Sequence, residues 1–284
     1  MTATRLPIRK TYKLYIGGKF PRTESGRTYP VRDKAGTLLA NVCLASRKDM
    51  RNAVVAARKT LGGWSGATPF LRGQILYRLA EMLEDRKTQF VEELVACESL
   101  TAARAERQVQ DGIDLIVHYA GWTDKFQQIA STVNPVASPH FNFTVPEPVG
   151  VVGIVCPENQ GFLGLLTAVI PVIAGGNTVV LLASENSPLV AISLAEAMAT
   201  SDLPGGVVNI LTGTRSEIVP HLKEHMDVNA FSIWDATNAE RTDIRDLSED
   251  NLKRLHFYQT GSKTGPDAIL DLQEYKTTWH PIGL

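Results

Sequence analysis

From Gly150 to Trp234 short, almost wholly apolar runs alternate with helical ones, and that alternation leaves the chain few architectures to choose from. "GVVGIVC", "NTVVLLA", "GVVNILTG" and "VNAFSIW" read as strands, while "GLLTAVIPVIAGG", "PLVAISLAEAMATS" and "SEIVPHLKEH" read as the helices between them. Strands that are apolar at successive positions must be covered on both faces. Strands separated by helices run parallel, with right-handed crossovers. The stretch "GGNTVVLLASENSPL" (Gly175–Leu189) condenses the pattern: an apolar strand, then Ser184, Asn186 and Ser187, then Pro188 as the first residue of a helix. The sequence therefore predicts an α/β fold with a Rossmann-like, doubly wound parallel sheet.

The remainder of the chain supplies appendages to that sheet. Residues 14–45 ("LYIGGKF", "RTYPVRD", "TLLANVCLA") alternate apolar runs with turns at Gly17-Gly18 and Lys34-Ala35-Gly36, predicting an N-terminal antiparallel β arm within 1–45. Helical periodicity begins at Ser46 and fills 46–133, with Thr68-Pro69 as a cap and first turn. "NPVASPHFNFTVPEP" sets His140, Asn142 and Thr144 against Phe141, Phe143 and Val145, a strand bracketed by prolines. "YKTTWHPIGL" is a further alternating strand. The divisions are thus 1–45, 46–133, strands within 134–149 and 274–284, and an α/β core over 150–260.

A net charge of −1 gives no basis for binding nucleic acid or an anionic membrane. No run approaches the ~18 apolar residues of a membrane span, and the start of the chain lacks the apolar core of a signal peptide. Three cysteines without CxxC spacing favour neither a disulfide scaffold nor structural zinc, so a reducing, cytoplasmic setting is expected.

In a doubly wound sheet, ligands sit beyond the carboxyl ends of the strands. Those ends carry Pro157-Glu158-Asn159-Gln160, Ala183-Ser184-Glu185, Thr212-Gly213-Thr214-Arg215 and Trp234-Asp235-Ala236. No G-x-G-x-x-G occurs, and three carboxylates (Glu158, Glu185, Asp235) line the rim. One carboxylate about 4 Å from a pyrophosphate charge costs about 4 kcal/mol at an effective dielectric near 20. Arg215 can offset one of them, or serve as an exposed first-turn residue. Among nucleophiles only Cys156 falls near the cleft, beside Glu158, which opposes a thiolate; a buried strand-end cysteine is the simpler reading. His221 and His225 stand four apart without an H-E-x-x-H motif and read as surface histidines. Glu92, Glu93 and Glu98 read as helix-surface carboxylates with no evident partner.

The ordered motifs "PEPVGVVGIVCPEN", "IPVIAGGNTVVLLASENSPL" and "LPGGVVNILTG" resemble the cofactor-binding domain of the aldehyde dehydrogenase superfamily. The resemblance runs from about Tyr15, in "YIGGKF", to about Lys253. That family oxidises aldehydes with NAD(P) through a cysteine nucleophile, a glutamate base and an asparagine oxyanion donor. The resemblance places the family's Pro-Trp-Asn on Pro157, Glu158 and Asn159, keeping the oxyanion position as Asn159. Gly176-Asn177-Thr178 is intact. The family's Lys-Pro-Ser-Glu falls on Leu182, Ala183, Ser184 and Glu185, so the ribose lysine is Leu182 while Glu185 persists. Phe-Thr-Gly-Ser falls on Ile233, Trp234, Asp235 and Ala236, and the general-base position on Tyr258. About twenty residues follow Lys263, so the catalytic domain with its nucleophile is expected to be absent.

The resemblance also implies an oligomerisation arm, an antiparallel pair before the first core strand joined by a later one. "SPHFNFTVPEP" and "YKTTWHPIGL" match it. This combination most resembles the truncated, non-catalytic C-terminal domain of family-sixteen aldehyde dehydrogenases. The implied function is a pseudoenzyme acting as an assembly or structural subunit. Its partner would be a full-length aldehyde dehydrogenase, or itself, through strands around Phe141, Phe143 and Trp279. No cofactor or metal is expected. The alternatives are a subunit that keeps weak NAD, NADP or other nucleotide binding through Glu185, Leu182, Trp234 and Asp235, and an inert homodimer.

Overall fold

A computed structural model describes residues 10–248, 252–262 and 265–283. The elements run β1 (Thr28–Arg32), β2 (Leu38–Cys43), α1 (Arg47–Ser65), α2 (Pro69–Asp85), α3 (Lys87–Glu98), α4 (Ala102–Trp122), α5 (Phe126–Ala130), β3 (Thr132–Asn134) and β4 (His140–Pro148). They continue with β5 (Val151–Val155), α6 (Leu163–Ala174), β6 (Thr178–Leu182), α7 (Pro188–Thr200), β7 (Val208–Leu211), α8 (Arg215–Glu224), β8 (Ala230–Trp234), α9 (Asn238–Ser248), β9 (Arg254–Tyr258), α10 (Asp267–Leu270) and β10 (Gln273–Pro281).

The expected doubly wound sheet forms, with order β7-β6-β5-β8-β9 and all pairs parallel. Every residue of β5, β6, β7 and β8 is buried, as their continuous apolar runs require. One face packs on α6 and α7, backed by α2, α3 and α4 in a single apolar cluster. The other face packs on α1 and α8. The fifth strand, β9, escapes the sequence pattern because "RLHFY" is half-buried throughout and carries Arg254 and His256.

Helix starts follow their caps. Ser46 and Asp49 form a reciprocal capping box on α1, and the Thr68 hydroxyl accepts from the Leu71 amide at the start of α2. The N-terminal arm differs in part from expectation. β1 and β2 make the hairpin, but Tyr15 instead pairs with Ile210 along the open edge of β7. The Gly17-Gly18 turn then meets the loop before β7 so closely that a Cβ at Gly18 would lie 2.8 Å from the Gly205 Cα.

The carboxyl end of α6 is buried, and side chains from four directions satisfy its carbonyls. Trp64 Nε1 donates to Ile173 (2.9 Å), Arg72 Nε to Ala174 (3.2 Å), Asn177 Nδ2 to Val172 (3.3 Å) and Gln273 Nε2 to Gly175 (3.2 Å). Asn177 also accepts from the Gly150 amide and donates to the Leu272 carbonyl, linking β5, α6 and the approach to β10. Asn177→Ala strands these buried groups, each worth ~1–3 kcal/mol when left unpaired. The expected loss is about 2–4 kcal/mol in urea unfolding.

Strands β3, β4 and β10 form a separate antiparallel sheet, order β10-β4-β3, with Trp279 opposite Asn142 and Thr278 opposite Phe143. Among the described residues no helix is long and apolar enough to cross a membrane.

Glu93 of α3 is not the surface carboxylate the sequence suggests. It accepts from Ser193 Oγ (2.6 Å), Gln89 Nε2 (3.3 Å) and the Tyr12 hydroxyl (3.4 Å), and burial pushes its carboxyl above the ordinary range. A carboxyl raised in the folded state contributes stability that is lost as pH rises from the ordinary glutamate range through the raised value. Glu93→Gln should therefore match the parent in acid and exceed its melting temperature increasingly toward neutral pH, as read by thermal melts across pH.

Candidate functional site

The order of the sheet reverses between β5 and β8, and the carboxyl ends of these strands define the crevice where such folds bind ligands. The loops after β5 and β6 are latched over it by Glu158. Its Oε2 accepts from Ser184 Oγ (2.9 Å) and the Glu185 amide (2.8 Å). Ser184 in turn accepts from the Asn186 and Ser187 amides, so Ser184, rather than Ser187, organises the turn into α7. The Ser187 hydroxyl points away and donates to Glu98 Oε1 (2.8 Å).

Arg215, the first residue of α8, reaches back across the crevice. Its Nε donates to Glu158 Oε1 (3.2 Å), and its Nη2 donates to the carbonyls of Cys156 (3.0 Å) and Trp234 (3.3 Å). Glu240 Oε1 lies 3.9 Å from its Nη1. The side chain is only 18% exposed, which corrects its reading as an exposed first-turn residue. Because Glu158 is paired with this guanidinium, the rim is less negative than a count of its carboxylates implies. Glu185 adds a further tie: its Oε1 accepts from the Arg215 amide (2.6 Å), a carboxylate on a helix amino end.

The other sequence-derived positions diverge. Leu182 is 1% exposed and packs in the core beneath the rim. Asp235 takes a left-handed conformation (φ 54°), and its amide donates to the Tyr258 carbonyl (2.9 Å). Its carboxylate accepts from the Thr260 amide (2.7 Å), tying the end of β8 to the turn after β9. Trp234 stacks on Tyr258 with ring centroids 5.1 Å apart. The Tyr258 hydroxyl donates to Asp271 Oδ2 (2.7 Å). Burial, then Asp271, pushes that phenol well above its ordinary value, so it stays protonated at neutral pH. Asn159 lines a groove of about 610 Å³ with Asn186, Arg104 and Arg107, beside the crevice.

Cys156 is buried, and burial followed by the Glu158 charge pushes its thiol up. The Cys97 thiol is pushed up to about 12 by burial and by Glu93 and Glu98, and Cys43 is buried. Neither Cys97 nor Cys156 offers a thiolate at neutral pH. His225 caps α8 and lines one surface groove with His221 beside Arg47 and Arg51, but among the described residues no group of three metal-ligating side chains forms there. Glu98, read from sequence as a surface carboxylate without a partner, accepts from the Gly161 amide (2.6 Å) just before α6. Gln108 Oε1 accepts from the next amide, Phe162 (3.2 Å). Nothing local to Glu98 or Glu158 signals these roles, because their partners lie on other elements.

Comparison with known proteins agrees with this geometry. The aldehyde dehydrogenase family model matches residues 21–264. The cytosolic 10-formyltetrahydrofolate dehydrogenase of Xenopus tropicalis is 34% identical over 269 residues, covering 91% of this chain and 29% of that protein. An aldehyde dehydrogenase of Davidiella tassiana is 32% identical over 264 residues, covering 91% of this chain and 51% of that one. Among solved structures, an NAD+ complex of aldehyde dehydrogenase from Bacillus cereus superposes with a TM-score of 0.83 at 26% identity, covering 90% of this chain and 52% of that one. The chain belongs to the aldehyde dehydrogenase family. It spans about half the length, or less, of these relatives.

A double-mutant cycle on Glu158→Ala and Arg215→Ala tests the latch. Both side chains are largely shielded from solvent, so a coupling of about 1–2 kcal/mol in unfolding free energy is expected, above an exposed pair's contribution.

Proposed function

We propose that this chain is a non-catalytic member of its family, an assembly subunit that joins a full-length aldehyde dehydrogenase or a second copy of itself through the β3-β4-β10 arm. One observation carries the reading: Arg215 lies across the carboxyl ends of β5 and β8 with Glu158 as its counter-ion. The crevice where a dinucleotide would place its pyrophosphate therefore already holds a charge pair of the chain's own.

The remaining residues do not fit NAD or NADP. The lysine that the family resemblance sets against the ribose is Leu182, whose side chain is in the core. The carboxylate of Glu185 is engaged by the amino end of α8, and that of Asp235 by Thr260. At the base position Tyr258 holds its proton, bonded to Asp271. The chain passes from β9 to β10 through Gln259–Leu272, a connection without a cysteine. No step of aldehyde oxidation is assigned to these residues.

Assembly is supported by what the arm leaves uncovered. Val133 is 68% exposed and Phe141 45%, and Phe141 contacts Phe143 at 5.5 Å between ring centroids. Uncovered aromatic and β-branched residues on a small sheet are a recognition surface. Calorimetry with NAD and NADP at millimolar concentration should give no binding heat. Co-expression with a full-length aldehyde dehydrogenase from the same cell should give co-elution that Phe141→Asp abolishes. Saturable dinucleotide binding by the purified chain would overturn the reading.

A further inference from the structure

The carboxyl half of α8, away from Arg215, lies against the start of α1, and the two helices line a surface groove of about 610 Å³. Arg47, Lys48 and Arg51 line it from α1, and His221 and His225 from the end of α8. Arg47 and Arg51 stand four apart and share one face of their helix. In a chain of net charge −1, this concentration of cations is local rather than general.

The cations of α1 stand at the wrong end of their helix. A helix amino end carries partial positive charge, so Arg47 and Lys48 in the first turn, and Arg51 just after it, oppose the dipole. Asp49 shares that turn, but its carboxylate is engaged by Ser46 and by the Thr23 hydroxyl (2.6 Å). Lys48 has a counter-ion in Glu24 (2.5 Å). Among the described residues neither Arg47 nor Arg51 has one, although Glu224 also lines the groove.

The end of α8 does not cancel this field. The carboxyl end of a helix is negative, yet here the His225 carbonyl accepts from Nζ of the buried Lys253 (2.9 Å). His225 Nδ1 accepts from the Asp227 amide (3.2 Å), which leaves the ring proton on Nε2 and makes that atom a donor in the neutral ring. Burial pushes the His225 imidazole below its ordinary value. Asp227 pulls the other way, and Lys253, Arg51 and Arg58 push it further down.

We propose that this groove binds a phosphoryl dianion, that of a small phosphomonoester, with Arg47 and Arg51 as its counter-ions and His221 and His225 as imidazole donors. Guanidinium forks match the oxygens of a phosphoryl group, each giving two parallel N–H groups, and the amino end of α1 adds its dipole to the attraction. The volume leaves room beyond the phosphoryl group itself, and the buried Met50 gives the wall an apolar stretch for the body of the ester. Such a site serves a lone chain and an assembled subunit alike, so it stands apart from the assembly role.

The experiment titrates the full chain at low salt with inorganic phosphate and with phenyl phosphate, read by calorimetry and phosphorus NMR. Both probes should bind saturably at one site, phenyl phosphate the more tightly. Arg47→Gln and Arg51→Gln should each weaken binding about tenfold, and His221→Ala about threefold. Glu224→Gln should strengthen it about twofold by removing the opposing charge. Lys59→Gln, an exposed cation of α1 outside the groove, should leave it unchanged. Circular dichroism confirms that each variant folds. Absence of saturable binding by the parent overturns the proposal, as does binding that both arginine changes leave intact. Retention of the chain on heparin without binding of either probe also overturns it, in favour of a polyanion. Equal affinity for the two probes upholds the phosphoryl site and overturns the ester as its ligand.

Discussion

The buried carboxyl end of α6 is the constraint around which the molecule is organised. A helix that stops in the interior leaves carbonyls with no helical partner, and each must find a donor or cost stability. Here the donors come from Trp64 of α1, Arg72 of α2, Asn177 ahead of β6 and Gln273 at the start of β10. The Arg72 guanidinium is almost fully buried, and its charge lies against the negative end of the helix dipole. Four separate stretches are therefore registered on one helix end. The start of β10 is tied to the core there by Gln273, together with the bonds that Asn177 and the Val149 amide make to the Leu272 carbonyl.

The same logic explains the asparagine in Gly176-Asn177-Thr178. Asn177 uses both ends of its amide, accepting from Gly150 and donating to Val172 and Leu272. No other side chain of that size offers an acceptor and two donors in this arrangement. These bonds by themselves account for an asparagine at this position.

Much of the fold was legible because its signals are local. Continuous apolar runs marked β5 to β8, and Ser46 and Thr68 marked the starts of α1 and α2. β9 was not legible as a strand, since half-buried residues including Arg254 and His256 break the apolar pattern. The pairing of β10 with β4 could be reached by family resemblance but not by pattern, because strands so far apart in sequence carry no mark of their partner. The candidate site was the least legible part. Glu158, Glu185 and Asp235 were visible as rim carboxylates, but their donors come from α8, the β6–α7 turn and the turn after β9. Charge counted along the sequence overstated the repulsion, because Arg215 stands across the strand ends as a counter-ion.

The Glu158–Arg215 pair also links the two positions in any stepwise change. Replacing Glu158 alone leaves the mostly buried guanidinium with Glu240 at 3.9 Å as its nearest remaining carboxylate, and replacing Arg215 alone leaves the Glu158 carboxylate with its Ser184 and Glu185 donors but no cation. Each single change strands one charge, while only the joint change removes both. The two positions are therefore coupled in sequence: a change tolerated at one depends on the residue at the other.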